Sequence, residues 1–111
     1  MKTFVFDIDN TLCKTEGSEY ANSKPMMDRI GYVNNLYEAG HTIILMTARG
    51  MGRSNNNASI AHQLFYALTQ QQLKDWGVRY HQLFLGKPAA DHYIDDKGIS
   101  DHVFFEAHSH E

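Results

Sequence analysis

Phe4-Val5-Phe6-Asp7-Ile8-Asp9-Asn10-Thr11 sets a short apolar run directly against two carboxylates two residues apart. The apolar part reads as a buried strand over Thr3–Phe6. Residues i and i+2 of a strand point the same way, and if the strand frays at Asp7 the chain beyond it can turn and bring Asp9 to the same cavity. Two carboxylates at the mouth of a buried strand are costly unless positive charge sits between them. A divalent cation, a phosphoryl group, or both would meet that need.

Outward from this stretch the chain alternates strands with helices. Leu12–Lys24 is polar, contains Gly17 and several serines, and reads as a loop or a short flap over the strand end. Pro25 suits a first helical position, Met26, Ile30, Val33, Leu36 and Tyr37 follow at helical spacing, and Gly40 supplies the stop. Thr42–Met46 is a second apolar run, ending in Thr47-Ala48-Arg49-Gly50. Met51–Asn57 is rich in Gly and Asn and reads as a mobile loop. A second helix is expected from about Ala58 to Asp75, with Ile60, Leu64, Leu68 and Leu73 inward, the glutamines at 70–72 on a solvated face, and Gly77 as its end. Gln82–Leu85 is a third strand, followed by Gly86-Lys87-Pro88. His92–Ile94 reads as a fourth, followed by Asp95-Asp96, and Val103–Phe105 as a fifth at an edge. Such alternation implies parallel pairing and an α/β sandwich around one sheet.

The 111 residues suit one domain with one core, spanning 1–111. A net charge of −3 with scattered lysines disfavours generic binding to a nucleic-acid backbone. The single cysteine, Cys13, cannot form an internal disulfide. With no signal peptide and no long apolar run, a reducing cytoplasmic setting and no membrane association are expected. Cys13 reads as a small loop-filling residue rather than a reactive thiol. Among the seven histidines, His92 reads as structural, and His108 and His110 as part of a frayed C-terminal tail.

In parallel sheets ligands bind outside the carboxyl ends of the strands. The chemically able residues all fall there: Asp7 and Asp9, then Thr47, then Lys87, then Asp95 and Asp96. Four carboxylates against one lysine call for a cation, and Mg²⁺ suits because it takes oxygen ligands while keeping waters and a substrate phosphate. Asp7 is then able to attack phosphorus and form an aspartyl-phosphate, and Asp9 to protonate the leaving oxygen and deprotonate the incoming water. Thr47 and Ala48 offer a hydroxyl and backbone N–H groups to phosphoryl oxygens, and Lys87 offsets charge on Asp7 and on the transferring group. Arg49 is suited to a second anionic group of the substrate, or to a surface ion pair. Asn10 orients the loop.

These residues, in this order, resemble the haloacid dehalogenase (HAD) superfamily of phosphatases. Asp7-Ile8-Asp9-Asn10-Thr11 matches its first motif, Thr47 its second, Lys87 its third and Asp95-Asp96 its fourth, so the likeness spans positions 4 to 96. The resemblance implies a Rossmannoid three-layer α/β/α sandwich with a mainly parallel sheet. It also implies Mg²⁺ held by Asp7, the backbone carbonyl of Asp9, and Asp96, with Asp95 close behind. The intervals where the family inserts cap domains hold only short loops and one helix, which implies a capless member. Within that class the chain is similar to small phosphatases of capsule or surface-polysaccharide biosynthesis, implying a sugar phosphate or related small metabolite as substrate. A nucleotide or a polynucleotide end is the alternative substrate. An open site of this kind leaves room for a neighbouring subunit to cover it. A phosphotransferase fits less well without a cap to exclude water. A receiver domain uses similar residues, but with paired acids first, the phosphorylated Asp mid-chain and Lys last. A silent phosphate-binding protein on this scaffold is the remaining alternative.

Overall fold

The computed structural model describes residues 1–108. His110 and the side chain of His108 lie outside the described residues, and with them the expectation of a frayed tail. The elements run β1 (Thr3–Phe6), β2 (Cys13–Lys14), β3 (Lys24–Pro25), α1 (Met27–Glu38), β4 (Thr42–Thr47), α2 (Ala58–Asp75), β5 (Gln82–Leu85) and α3 (Asp101–His108). Strands β1, β4 and β5 form a parallel sheet in that order. Its register pairs Phe6 with Leu45 and Thr47 with Leu85, so Asp7, Thr47 and Lys87 come to one carboxyl edge. The radius of gyration, 13.7 Å, is close to the roughly 13 Å of a compact chain of this length.

Both helix stops read from the sequence are present, and each has the same construction. Gly40 (φ 97°) and Gly77 (φ 72°) lie in the left-handed region, where a Cβ would be strained. Around Gly40, the amides of Gly40 and His41 donate to the carbonyls of Tyr37 and Leu36; around Gly77, those of Gly77 and Val78 donate to Lys74 and Leu73. This reciprocal pair satisfies carbonyls a helix end leaves open. At the start of α2, the Asn57 side chain accepts from the Ile60 amide at 3.1 Å, an N-cap. Pro25, expected inside the helix, instead closes β3, and α1 starts without a side-chain cap.

One core cluster joins Phe6, Ile8, Leu12, Ile30, Val33, Ile43, Leu45, Leu73 and Phe105. These strand residues share one face, and α1, α2 and α3 all contribute to it. Two crossovers of the usual hand in one direction across the sheet place α1 and α2 together. The opposite face is open: Val5 is 60% and Phe84 49% exposed. The expected third layer is therefore not built by the described residues, which form two layers, and no separate cap is seen among them.

Two local expectations are corrected, and two loops gain detail. His92–Ile94 is not a strand; residues 88–100 are exposed and carry no helix or strand. The Tyr93 hydroxyl donates to the Pro88 carbonyl, folding this segment onto the turn after β5 instead of along a strand edge. Val103–Phe105 belongs to α3, where Asp101, Phe104 and Phe105 recur at helical spacing and pack on α1 and β1. Leu12–Lys24 is a hairpin, with Cys13 and Lys14 pairing antiparallel with Pro25 and Lys24. The 51–57 loop is closed by hydrogen bonds from the Asn56 amide to the Met51 carbonyl and from the Ser54 amide to the Gly50 carbonyl, with Met51 buried.

Of the residues read as the inward face of α2, only Leu73 is fully buried. Ala61, Thr69, Gln72 and Leu73 are buried, whereas Ile60 and Leu64 are 42% and 49% exposed. The helix is turned so that Thr69 and Gln72 meet a buried guanidinium. Leu64→Lys should therefore change stability by less than about 0.5 kcal/mol, while Leu73→Ala should cost about 2–5 kcal/mol; urea unfolding of the two variants checks this, and the reverse ranking would refute the helix orientation.

Arg29 of α1 ties α3 down. It donates to the Thr11 carbonyl at 3.0 Å and to Asp101 Oδ2 at 2.8 Å. Burial alone would raise Asp101, but the Arg29 hydrogen bond and charge, with His102, outweigh it and hold the carboxyl below its ordinary value. A depressed carboxyl contributes stability that is present above the ordinary value and lost as pH falls through the lowered one. Arg29→Met should cost about 1–3 kcal/mol at pH 7 and flatten the acid limb of the stability curve, measured by urea midpoints between pH 7 and 2.

Candidate functional site

The turn that follows β1 builds the site. After Phe6 the chain leaves the sheet, and the Ile8 carbonyl accepts from the amides of Thr11, Leu12 and Cys13. This tight turn requires a left-handed residue, supplied by Asn10 at φ 63°, one of the few side chains that tolerate it. Asn10 also accepts from the Thr15 amide at 3.2 Å, so its loop-orienting role is realised in the hydrogen bonding. Ile8, between the two acids in sequence, is fully buried and anchors the turn that carries them.

Asp7 is the reactive-looking member. Its side chain is 31% exposed, Lys87 Nζ lies 3.7 Å from its Oδ1, and the Thr11 hydroxyl donates to its Oδ2 at 3.3 Å. Its carboxyl is raised above the ordinary value by burial first; Lys87, the Ile8 amide and Thr11 pull it down, and Asp9 adds to the rise.

Thr47 places Lys87. The Thr47 carbonyl accepts from the amides of both Gly86 and Lys87 at 3.2 Å, pinning the turn after β5 to the end of β4. The Thr47 hydroxyl accepts from the Arg49 amide at 3.1 Å and is wholly buried. The Thr47 hydroxyl thus caps the turn into Arg49. The Tyr93 ring, 4.2 Å from Lys87 Nζ, braces the ammonium from the other side. Ala48 is half-buried, with its carbonyl accepting from the Met51 amide.

Arg49 departs furthest from expectation. It is 1% exposed, which excludes a surface ion pair. Its Nε donates to Asp9 Oδ2 at 3.0 Å and its Nη2 to Asp9 Oδ1 at 3.0 Å, a two-pronged pair. Its Nη1 donates to Gln72 Oε1 at 2.6 Å and to Thr69 Oγ1 at 3.1 Å. The Tyr20 ring lies 5.0 Å from the guanidinium carbon. With its donors engaged inside the protein, Arg49 is not placed to grip a substrate anion. Asp9 Oδ1 accepts further from the Thr15 hydroxyl at 2.6 Å and the Cys13 thiol at 3.7 Å, whereas Oδ2 accepts only from Arg49 among the described residues. Burial pushes the Cys13 thiol up, in keeping with a packing role.

Asp95 and Asp96 stand apart. Both are exposed; Asp95 accepts from the Lys97 amide and Asp96 pairs with Lys97. Among the described residues no three His, Cys, Asp or Glu side chains gather closely enough to hold a metal ion. The chain thus brings together Asp7, Asp9, Thr47 and Lys87, with Arg49 beneath them, and leaves Asp95 and Asp96 outside. A surface depression of about 610 Å³ lined by Ala67, Gln70, Gln71, Lys74, Val78 and Tyr80 includes none of these groups.

Thr15, Ser23, Thr69 and Tyr93 belong to the site without being singled out in the sequence, and Gln72, read with its neighbours as solvated, is buried against Arg49 instead. Thr69 and Gln72 did carry a signal. They fall in phase with Ala61, Phe65 and Leu73, so polar residues on that helix face imply a buried partner.

No protein-family model and no curated protein matches this chain. Among solved structures, a crystal structure of a target protein from Vibrio cholerae is similar to it, with 28% identity over 99% of this chain and 94% of that one, at a TM-score of 0.86. The class thus defined is a compact α/β fold with a parallel sheet and, among the described residues, three α-helices. No helix among the described residues is long and apolar enough to cross a membrane.

Neutralising Asp7 should relieve the cost of its burial. A raised carboxyl contributes most to stability below its ordinary value, 3.8, and that contribution is lost as pH rises through the raised one. Asp7→Asn should therefore unfold at a higher temperature than the native chain at pH 7, the gap closing towards pH 4. Equal midpoints at both pH values, by thermal melts, would overturn this assignment.

Proposed function

We propose that this chain is a phosphomonoester hydrolase of the haloacid dehalogenase type, Rossmannoid in architecture and acting through an aspartyl-phosphate. The observation that carries the reading is Asp7 at the end of β1, with Lys87 Nζ 3.7 Å away and anchored through Thr47 at the end of β4. A carboxylate nucleophile beside a cation, at the carboxyl edge of a parallel sheet, has the parts that phosphoryl transfer requires.

In this reading an Asp7 oxygen attacks phosphorus, and the bond from phosphorus to the ester oxygen breaks. Asp9 delivers a proton to the departing oxygen through Oδ2, its less engaged atom. Water then attacks the acyl-phosphate, Asp9 takes its proton, and inorganic phosphate leaves with Asp7 restored. Lys87 balances the charge on the transferring group throughout.

Mg²⁺ is the proposed cofactor, and the residues gathered fit it sparsely. Asp7 offers one carboxylate and the Asp9 backbone its carbonyl; Mg²⁺ commonly takes one or two carboxylates and completes its shell with waters and substrate phosphate. When bound it would neutralise phosphoryl charge. Asp96, with Asp95 beside it, enters the proposal through the resemblance alone. A small phosphorylated metabolite, a sugar phosphate first, is the proposed substrate class.

Turnover of p-nitrophenyl phosphate should require Mg²⁺ and stop with EDTA. Asp7→Asn should lower kcat about a thousandfold or more, and Asp9→Asn by roughly 10²–10⁴. Asp96→Asn should raise the Mg²⁺ concentration needed for half-maximal rate. Metal-independent hydrolysis that survives Asp7→Asn would reject the mechanism, and acid-quenched turnover without phosphate on the Asp7 peptide would reject the covalent intermediate.

A further inference from the structure

Arg49 hydrogen-bonds the β1 turn, the hairpin and α2 at once. Its fork engages Asp9 of the turn; Nη1 engages Thr69 and Gln72 of α2, and Nη2 lies 3.5 Å from the Ser23 hydroxyl of the hairpin. Two further links close the circuit. Gln72 Nε2 donates to the Tyr20 carbonyl at 2.6 Å, so the residue that orients the guanidinium also holds the hairpin turn. Thr15 and Ser23 share a hydrogen bond at 2.6 Å across the hairpin, and Thr15 continues to Asp9 Oδ1. Tyr20 completes the packing, its ring edge-on to Phe65 of α2 at 5.0 Å.

We propose that Arg49 is a positioning residue that locks the Asp9 carboxylate, the hairpin 13–25 and α2 into one cooperative unit, leaving Asp9 Oδ2 as the oxygen presented to the reaction. The hairpin is then a strap whose order depends on the Asp9 charge, rather than a free flap. The hairpin also meets the carboxylate directly through the Thr15 hydroxyl, and it needs these ties because its two strands are two residues each, far too short to hold a fixed place by pairing alone. A buried guanidinium keeps its partners in register because its planar fork admits few geometries and because an unmatched buried charge is costly. Lysine carries the same charge as a point, without the fork, and cannot serve Asp9, Gln72 and Thr69 together.

The catalytic part of this inference rests on the proposed hydrolase reading; the structural part does not, and the test separates them. Amide hydrogen exchange at Thr15, Asn22, Ser23 and Met26 should accelerate at least tenfold in both Arg49→Lys and Asp9→Asn, with exchange in β1 and β4 unchanged. The double variant should exchange no faster than either single one, since the two changes break one unit. In p-nitrophenyl phosphate turnover, Arg49→Lys should lower kcat tenfold or more while KM stays within about threefold. If Arg49→Lys does not fold, Asp9→Asn, which replaces a carboxylate at the edge of the cavity by its isostere, still reads the coupling by exchange. Unchanged hairpin exchange in Asp9→Asn overturns the proposal. So does a tenfold rise in KM at preserved kcat in Arg49→Lys, which would make Arg49 a substrate contact. Accelerated exchange in a chain that hydrolyses no phosphomonoester would leave the strap standing and sink the hydrolase reading.

Discussion

The buried Arg49–Asp9 pair is the constraint on which the arrangement of this molecule turns. A guanidinium at 1% exposure is tolerable only if nearly every donor finds an acceptor. Meeting that demand explains features that otherwise look like errors of patterning. Helix α2 turns Thr69 and Gln72 inward and leaves Ile60 and Leu64 outside. The hairpin between Cys13 and Pro25 lies against α2 through the Tyr20 carbonyl instead of extending into solvent.

The same pair divides the two acids that stand at the head of the sheet. Asp9 has its charge matched at once, by a fork of two hydrogen bonds and a hydroxyl. Asp7, two residues earlier, has a more distant lysine and one weak hydroxyl contact, and burial raises its carboxyl. One turn therefore holds an acid that is structurally satisfied and an acid that is not. An incompletely matched charge in a partly open position is where a ligand gains most by binding, and it is at Asp7 that the proposed chemistry begins.

Legibility in the sequence tracked the range of the forces involved. Strands β1, β4 and β5 and both helix stops were readable because continuous apolar runs and left-handed glycines are local signals. So was the convergence of Asp7, Thr47 and Lys87, which follows from parallel topology alone. His92–Ile94 and Val103–Phe105 misled because three apolar residues fit either period, and only Phe4, Phe6 and Tyr32 packing on Phe104 decided the second case. The burial of Arg49 was out of reach locally. Its partners lie 40, 20 and 23 residues away, and only the packing of α2 against β5, the strand beside β4, brings them together. Reading Asp95 and Asp96 as companions of Asp7 depended on a fourth strand, and without that strand the described chain keeps them at the surface.

That separation in sequence has a kinetic side. Every contact of the Arg49 fork spans a loop of at least 20 residues, and closing such loops costs entropy before the contact returns anything. The pairing of β1 with β4, Thr3 against Thr42, closes a loop of comparable length but needs no desolvated charge. Loss of the polar knot is then expected to show chiefly as faster unfolding with the folding rate little changed. A molecule built this way fixes the Asp9 carboxylate only when the rest of the chain is already in place.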